Sequence, residues 1–345
     1  MAEEQHKTSI GGQAVMEGVM MRGPHKTAVS VRKPDGEIVT KVDENGTKKR
    51  SKIAKLPIIR GCINFVESLV IGMKALMYSA EFVDIEEEEE TESKFEKWLE
   101  DKLGDKIKDI VIYFAVFLAI IMSVGLFFVL PYLILSLIQL IPQISGFSNN
   151  GLFISIVEGV IRMAIFLGYM VLVSRMKEIK RVFEYHGAEH KTIACYEAGE
   201  DLTVENVRKY ERFHPRCGTS FLLFVMIIGI IIYAFLPKVE GFSVIVNKLI
   251  GLGTRLLCLP IIAGLSYEII KWAGRSKTKC VTLLSKPGLW LQKLTTREPD
   301  DEQIEVAIAS LKAALPDIYP AAEVSEEASS DKAVGKEGTV DNDDK

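Results

Sequence analysis

Residues 110–130 read IVIYFAVFLAIIMSVGLFFVL, and no charged side chain occurs anywhere from Ile110 through Val157. In hydrocarbon every backbone N–H and C=O must be satisfied within the protein, so a run of this kind is read as helix, and about 20 apolar residues carry a helix across a bilayer core. Three further apolar runs of about that length follow at 152–174, 219–236 and 249–272. The expectation is therefore an α-helical polytopic membrane protein with four transmembrane helices, the first at 110–131. Pro131 is expected to end or kink that first span, since proline lacks the N–H of the helical ladder. The apolar piece 132–142 is then too short to cross again and is expected along the far interface. A chain of 345 residues with 48% apolar side chains agrees with a membrane class. Residues 1–13, MAEEQHKTSIGGQ, hold no apolar core of a cleaved signal, so targeting is expected to fall to the first apolar helix.

Charge sets the expected orientation. Lys102, Lys106 and Lys108 precede the first run, no charge separates the first two, and Arg175, Lys177, Lys180 and Arg181 follow the second; Lys271, Arg275, Lys277 and Lys279 follow the fourth. Basic loops stay in the cytoplasm, which places both termini and the 175–218 segment there. The formal net charge is −4, but 298–345 carries 14 acidic and 4 basic residues, so the remainder stands at +6 and suits an anionic lipid surface. Nucleic acid is not an expected partner, because the basic residues are scattered and no aromatic residues interleave with them. The five cysteines, at 62, 195, 217, 258 and 280, form no paired framework, which fits a reduced compartment.

Outside the spans, 27–42 (TAVSVRKPDGEIVTKV) alternates around Pro34-Asp35-Gly36 and predicts a β-hairpin. Cys62, Val66, Leu69, Met73, Leu76 and Ala80 recur at helical spacing and predict an amphipathic helix lying on the bilayer or on its own domain. The organisation expected is a small N-terminal α+β cytoplasmic module at 1–83, and an acidic linker with an amphipathic interfacial helix at 84–108. Spans one and two follow at 109–174, a cytoplasmic His/Cys loop at 175–218 and spans three and four at 219–272. A C-terminal segment at 273–321 holds a short helix around Ile304, Ile308 and Leu311, and 322–345 is a disordered acidic tail.

The chemistry concentrates in 186–217, which contains three of the five histidines and two of the cysteines. In HGAEH, residues 186–190, a helix puts His186 and His190 one turn apart on one face with Glu189 beside them. This is the H-x-x-E-H arrangement of inverted-motif zinc hydrolases, in which two imidazoles hold the ion and the carboxylate activates water. His214 and Cys217, from FHPRCGT, are the candidate completing ligands, with zinc the expected ion. Four protein ligands make a closed structural site, whereas catalysis needs an open position, so Cys217 decides between them. The alternative is that the histidines cap helices and, with Lys191 and Arg216, hold phosphate headgroups. Gly187 weakens the helix expectation, and it could let a substrate approach the backbone.

Glu17 stands alone among apolar neighbours and needs a partner, for which Arg22 and the His186/His190 site are the candidates; otherwise it faces water. Glu158 and Arg162, four apart on the second span, and Arg255 on the fourth are expected at similar depth, as an ion pair between helices ahead of a transport path. Glu268 is held as a reserve ligand.

The stretches GGQAVMEGVMMRGP, ESLVIGMKALMYSA, EYHGAEHKTIACYEAGEDLTVENVRKYERFHPRCGTSFL and TTREPDDEQIEVAIASLKAAL resemble the YqhQ family, a bacterial group of multi-pass membrane proteins of unknown function, over residues 8–315. The resemblance implies an inner-membrane setting and marks His186, Glu189, His190, His214 and Cys217 as the family's site. Members carry the label of predicted metal-dependent enzymes with no reaction attached. The expected function is a membrane-embedded, zinc-type hydrolase at the cytoplasmic surface, acting on a lipid-linked or membrane-proximal substrate. In it His186 and His190 ligate, Glu189 is the general base, and Glu17 ligates or orients. A non-catalytic scaffold or biogenesis factor with a structural Cys/His site is the second reading, and a transporter the third.

Overall fold

The computed structural model describes residues 10–46, 51–82, 106–138, 151–214, 217–236, 241, 243–273 and 279–320. The acidic linker, most of the interfacial helix expected before residue 109, and the tail 322–345 lie outside the described residues.

Four strands, β1 (Gly11–Val15), β2 (Gly18–Arg22), β3 (Lys26–Arg32) and β4 (Ile38–Glu44), form one antiparallel sheet in chain order. The hairpin expected at 27–42 is β3–β4. Its turn closes with the Gly36 N–H donating to the Lys33 carbonyl at 2.9 Å, and Gly36 takes φ 90°, which glycine adopts without steric cost. The first hairpin, β1–β2, was not expected. Its second strand shows no alternation because both of its faces are covered: Val19 and Met21 face one core, Met20 the other.

Helix α1 (Pro57–Ala80) covers one face of the sheet, where Ala75 meets Val15, Met20, Val29 and Val31. It presents small residues inward, Gly61, Gly72, Ala75 and Ser79, so its backbone can approach closely. The large apolar residues of its stripe are turned away from the sheet, Val66 and Leu69 each being 56% exposed. Further back, Gly61 and Gly264 lie so close that a Cβ on Gly61 would stand 2.7 Å from the Gly264 carbonyl oxygen. Here α1 crosses α8 (Val244–Ala273), and Arg60 grips Glu268 through Nη2 at 2.6 Å. Glu268 is thereby committed to a guanidinium and is not a reserve ligand.

The apolar helices are α2 (Lys106–Val124), continued through a π-helical stretch at Gly125–Val129 into α3 (Leu130–Ile138), then α4 (Gly151–Val173), α7 (Gly218–Ala234) and α8. Among the described residues three stretches are long and apolar enough to cross a membrane: Phe114–Ile138, Leu152–Val173 and Leu249–Trp272. The third expected span, at 219–236, is shorter, because α7 has only the apolar stretch Phe221–Ala234. Pro131 does not end the first span either. The helix widens to π register before it, with the Leu130 N–H bonded to the Gly125 carbonyl, and the Phe127 carbonyl that Pro131 cannot serve accepts from Arg162 Nε at 2.9 Å.

The segment expected as a loop at 175–218 is largely helical, with α5 (Lys177–Glu197) and the short α6 (Val204–Arg208). After α8 come α9 (Lys279–Thr295) and α10 (Asp301–Ala314), the latter opened by a capping box between Asp300 and Gln303. Helix α10 is the short helix expected around Ile304 and Leu311, and it packs onto β2 and β3. Val19, Met21 and Ala28 of the sheet, Tyr185 and Ile193 of α5, and Ile304 and Leu311 of α10 share one core. Helix α10, the sheet and the His-bearing helix are thus a single packed layer.

Candidate metal centre

Helix α5 carries HGAEH in its middle, and Gly187 does not break it. A Cβ on Gly187 would collide with the Arg297 carbonyl oxygen, and the Arg297 N–H donates to the Phe183 carbonyl at 2.8 Å. The close approach that this glycine permits is therefore made by the chain between α9 and α10, and not by a substrate. That same chain orients the first histidine. His186 Nδ1 lies 2.8 Å from the Thr295 carbonyl, and His190 Nδ1 lies 2.7 Å from the Arg212 carbonyl. A carbonyl only accepts, so each Nδ1 carries the proton and each Nε2 is left with a lone pair. Tying one imidazole nitrogen to a carbonyl to present the other is the usual support of a metal-binding histidine.

Cys217 completes the group. It caps the N-terminus of α7, where a helix dipole favours negative charge, and its Sγ accepts from the Thr219 N–H at 3.4 Å and lies 3.3 Å from His186 Nε2. Ligand atoms of His186, His190 and Cys217 all lie within 4.8 Å of one another. Tetrahedral zinc holds nitrogen and sulfur donors roughly 3.3–3.8 Å apart, and two imidazoles with one thiolate are a zinc-type set. The donor types fit such an ion, while their grouping, at up to 4.8 Å, is looser than a closed zinc shell.

Glu189 is 4% exposed and lies against Gly12 of β1, where a Cβ would stand 2.7 Å from its carboxyl carbon. Burial pushes its pKa up to about 8, opposed by His186 and by a backbone hydrogen bond from Ala14, and reinforced by Cys217. Its Oε2 is buried with no hydrogen-bond partner. A buried carboxyl oxygen left unsatisfied is costly, and its nearest titratable neighbours are the site's own residues. Burial, then His186, lowers His190 well below the usual imidazole range, which keeps it neutral and able to ligate.

His214 stands one step back. Its ring centroid is 5.6 Å from that of His190, its Nε2 is 3.8 Å from Glu197, and burial, then His186, lowers its pKa to about 4. Gln292 of α9 clamps the His214 backbone with two hydrogen bonds of 2.8 Å. Glu17 is drawn elsewhere. It takes φ 47° at the β1–β2 turn, and its carboxylate receives Arg181, through Nη2 at 2.6 Å, and the Tyr185 hydroxyl at 3.2 Å. Neither Arg22 nor the histidines are its partner. Sequence reasoning missed Gln292, Thr295 and Gly12, which act on the site from up to 177 positions away along the chain, and Arg181, the partner of Glu17.

A family model described as "Protein of unknown function (DUF1385)" matches residues 56–317. The chain is also 35% identical over 318 residues to "Uncharacterized protein YqhQ" of Bacillus subtilis (strain 168), across 91% of this chain and 95% of that one. No solved structure matches.

Proposed function

We propose that this chain, which belongs to the DUF1385 family of proteins of unknown function, is a four-span membrane protein and a zinc-type metal-dependent hydrolase. The observation that carries the reading is one cluster. Two imidazoles present bare Nε2 atoms beside a thiol, within 4.8 Å, next to a buried carboxylate with an unpartnered oxygen. His186, His190 and Cys217 would hold the ion. When bound, it supplies Lewis acidity at that point. Glu189 acts as general base, its Oε2 taking a proton from an attacking water and returning it to the leaving group. His214 and Glu197 orient from behind, while Gly12 and Ala14 wall off the carboxyl from bulk water. Cys217 caps a helix that starts at the junction of the packed layer and the apolar bundle, which supports a lipid-linked or membrane-proximal substrate on the basic, cytoplasmic side of a bacterial inner membrane.

A second reading has its own support. His190 and Cys217 are 1% and 6% exposed, as in a staple holding α5 to α7, so the site of a non-catalytic scaffold would look similar. Glu189→Gln separates the two. The hydrolase keeps its metal and its melting temperature in this variant and loses complementation of a deletion strain. A scaffold keeps complementation. Retention of complementation by Glu189→Gln defeats the catalytic reading.

A further inference from the structure

Between α4 and α8 lies a second charged group. Glu158 is 4% exposed by side chain, Arg162 8% and Arg255 17%. Glu158 accepts from Arg162 Nη2 at 2.8 Å through one oxygen and from Arg255 Nη2 at 2.7 Å through the other. The arrangement is the expected ion pair between helices with one cation too many. Guanidinium does not deprotonate in proteins, so two positive charges face one negative charge among the described residues. Arg162 is satisfied further, since its Nε donates to the Phe127 carbonyl. Arg255 is not: its Nε is buried and has no hydrogen-bond partner among the described residues.

The surroundings suit an anion. Tyr132 and Tyr233 lie 5.4 and 5.9 Å from the Arg255 guanidinium, and Phe128 and Tyr233 each lie 5.2 Å from that of Arg162. Tyr233 thus lies within 6 Å of both guanidinium groups. Depth agrees on both sides of the group. Arg255 lies six residues inside the Leu249 end of one apolar stretch, and Tyr132 six residues inside the Ile138 end of another. At 1.5 Å per residue each is about 9 Å from the apolar boundary, a distance that an arginine stem and a locally thinned bilayer bridge. This is the end of the bundle away from α5 and the sheet.

We propose that Arg255, with Arg162 and Tyr132, binds a phosphate-bearing monoanion, which supplies the missing negative charge and engages the unused side of the Arg255 fork. The site is independent of the metal centre and rests on α4 and α8 spanning a bilayer. The anion comes from a phospholipid headgroup or from free phosphate, and two arms tell them apart. In the first, detergent-purified protein is exposed to an equimolar mixture of phosphatidylglycerol and phosphatidylcholine, and retained lipid is counted by native mass spectrometry. In the second, inorganic phosphate replaces chloride at constant ionic strength in lipid-free micelles, and the melting temperature is followed.

A headgroup site retains phosphatidylglycerol over phosphatidylcholine by roughly tenfold or more, and Arg255→Gln abolishes that preference. A free-phosphate site shows the stabilisation instead, also lost in Arg255→Gln. Should Arg255→Gln fail to fold, Glu158→Gln decides, because removing the carboxylate adds a net positive charge and raises retention or stabilisation. Absence of both effects in the wild type, or an effect that neither substitution alters, overturns the proposal.

Discussion

Glu189 and Gly187 act on the same turn of α5 from opposite sides. The carboxyl of Glu189 is packed under β1 with one oxygen unpartnered, and Gly187 lets the chain at Arg297 lie against the helix backbone. Because Thr295, two residues before Arg297, holds His186 Nδ1, moving that chain moves a proposed ligand. Gly187→Ala should therefore lower stability by about 2 kcal/mol, an overpacking cost against backbone that cannot swing aside. A melting temperature equal to wild type in the purified variant contradicts this. At this scale the HGAEH spacing and Cys217 were legible from local pattern and residue chemistry. Glu17 was legible as a residue in need of a partner, but the partner, Arg181, is 164 positions away and no local rule points to it.

Elements differ in how far their periodicity speaks. The stripe of Val66, Leu69 and Met73 identified α1 as a helix, but the stripe itself stands exposed and the residues packed on the sheet are the small ones between. Where a helix must approach a sheet or another helix closely, small residues face inward and large apolar ones are left for the surroundings. The crossing of α1 over α8 at Gly61 and Gly264 follows that rule. Gly264→Leu should force the helices apart, break the Arg60–Glu268 contact and cost roughly 1–3 kcal/mol, with α1 becoming sensitive to protease at low protease concentration. Unchanged cleavage kinetics would count against the crossing. The π-helical stretch before Pro131 also escaped local rules. A proline in an apolar helix was read as a stop or a kink, and a widened turn lets the helix continue and frees the Phe127 carbonyl for Arg162.

For the whole molecule, charge and hydropathy marked the boundary between bundle and packed layer, since both depend on composition summed along the chain. The joining of residues 10–46, 177–214 and 290–320 into one layer was not visible, because it depends on contacts between segments up to about 300 positions apart. That joining assembles the proposed centre: α5 brings two imidazoles, the N-cap of α7 a thiol, α9 the Thr295 carbonyl that orients His186, and β1 the cover over Glu189. The measurement that bears on it most directly is elemental analysis of detergent-purified protein, prepared without chelator, for wild type, His190→Ala and Cys217→Ser. About one equivalent of zinc-type metal per folded chain is predicted for the wild type. Both variants should lose it while eluting as monodisperse protein. Full retention of metal by His190→Ala, or a wild type that takes up no divalent metal when supplied with it, would contradict a metal centre at His186, His190 and Cys217.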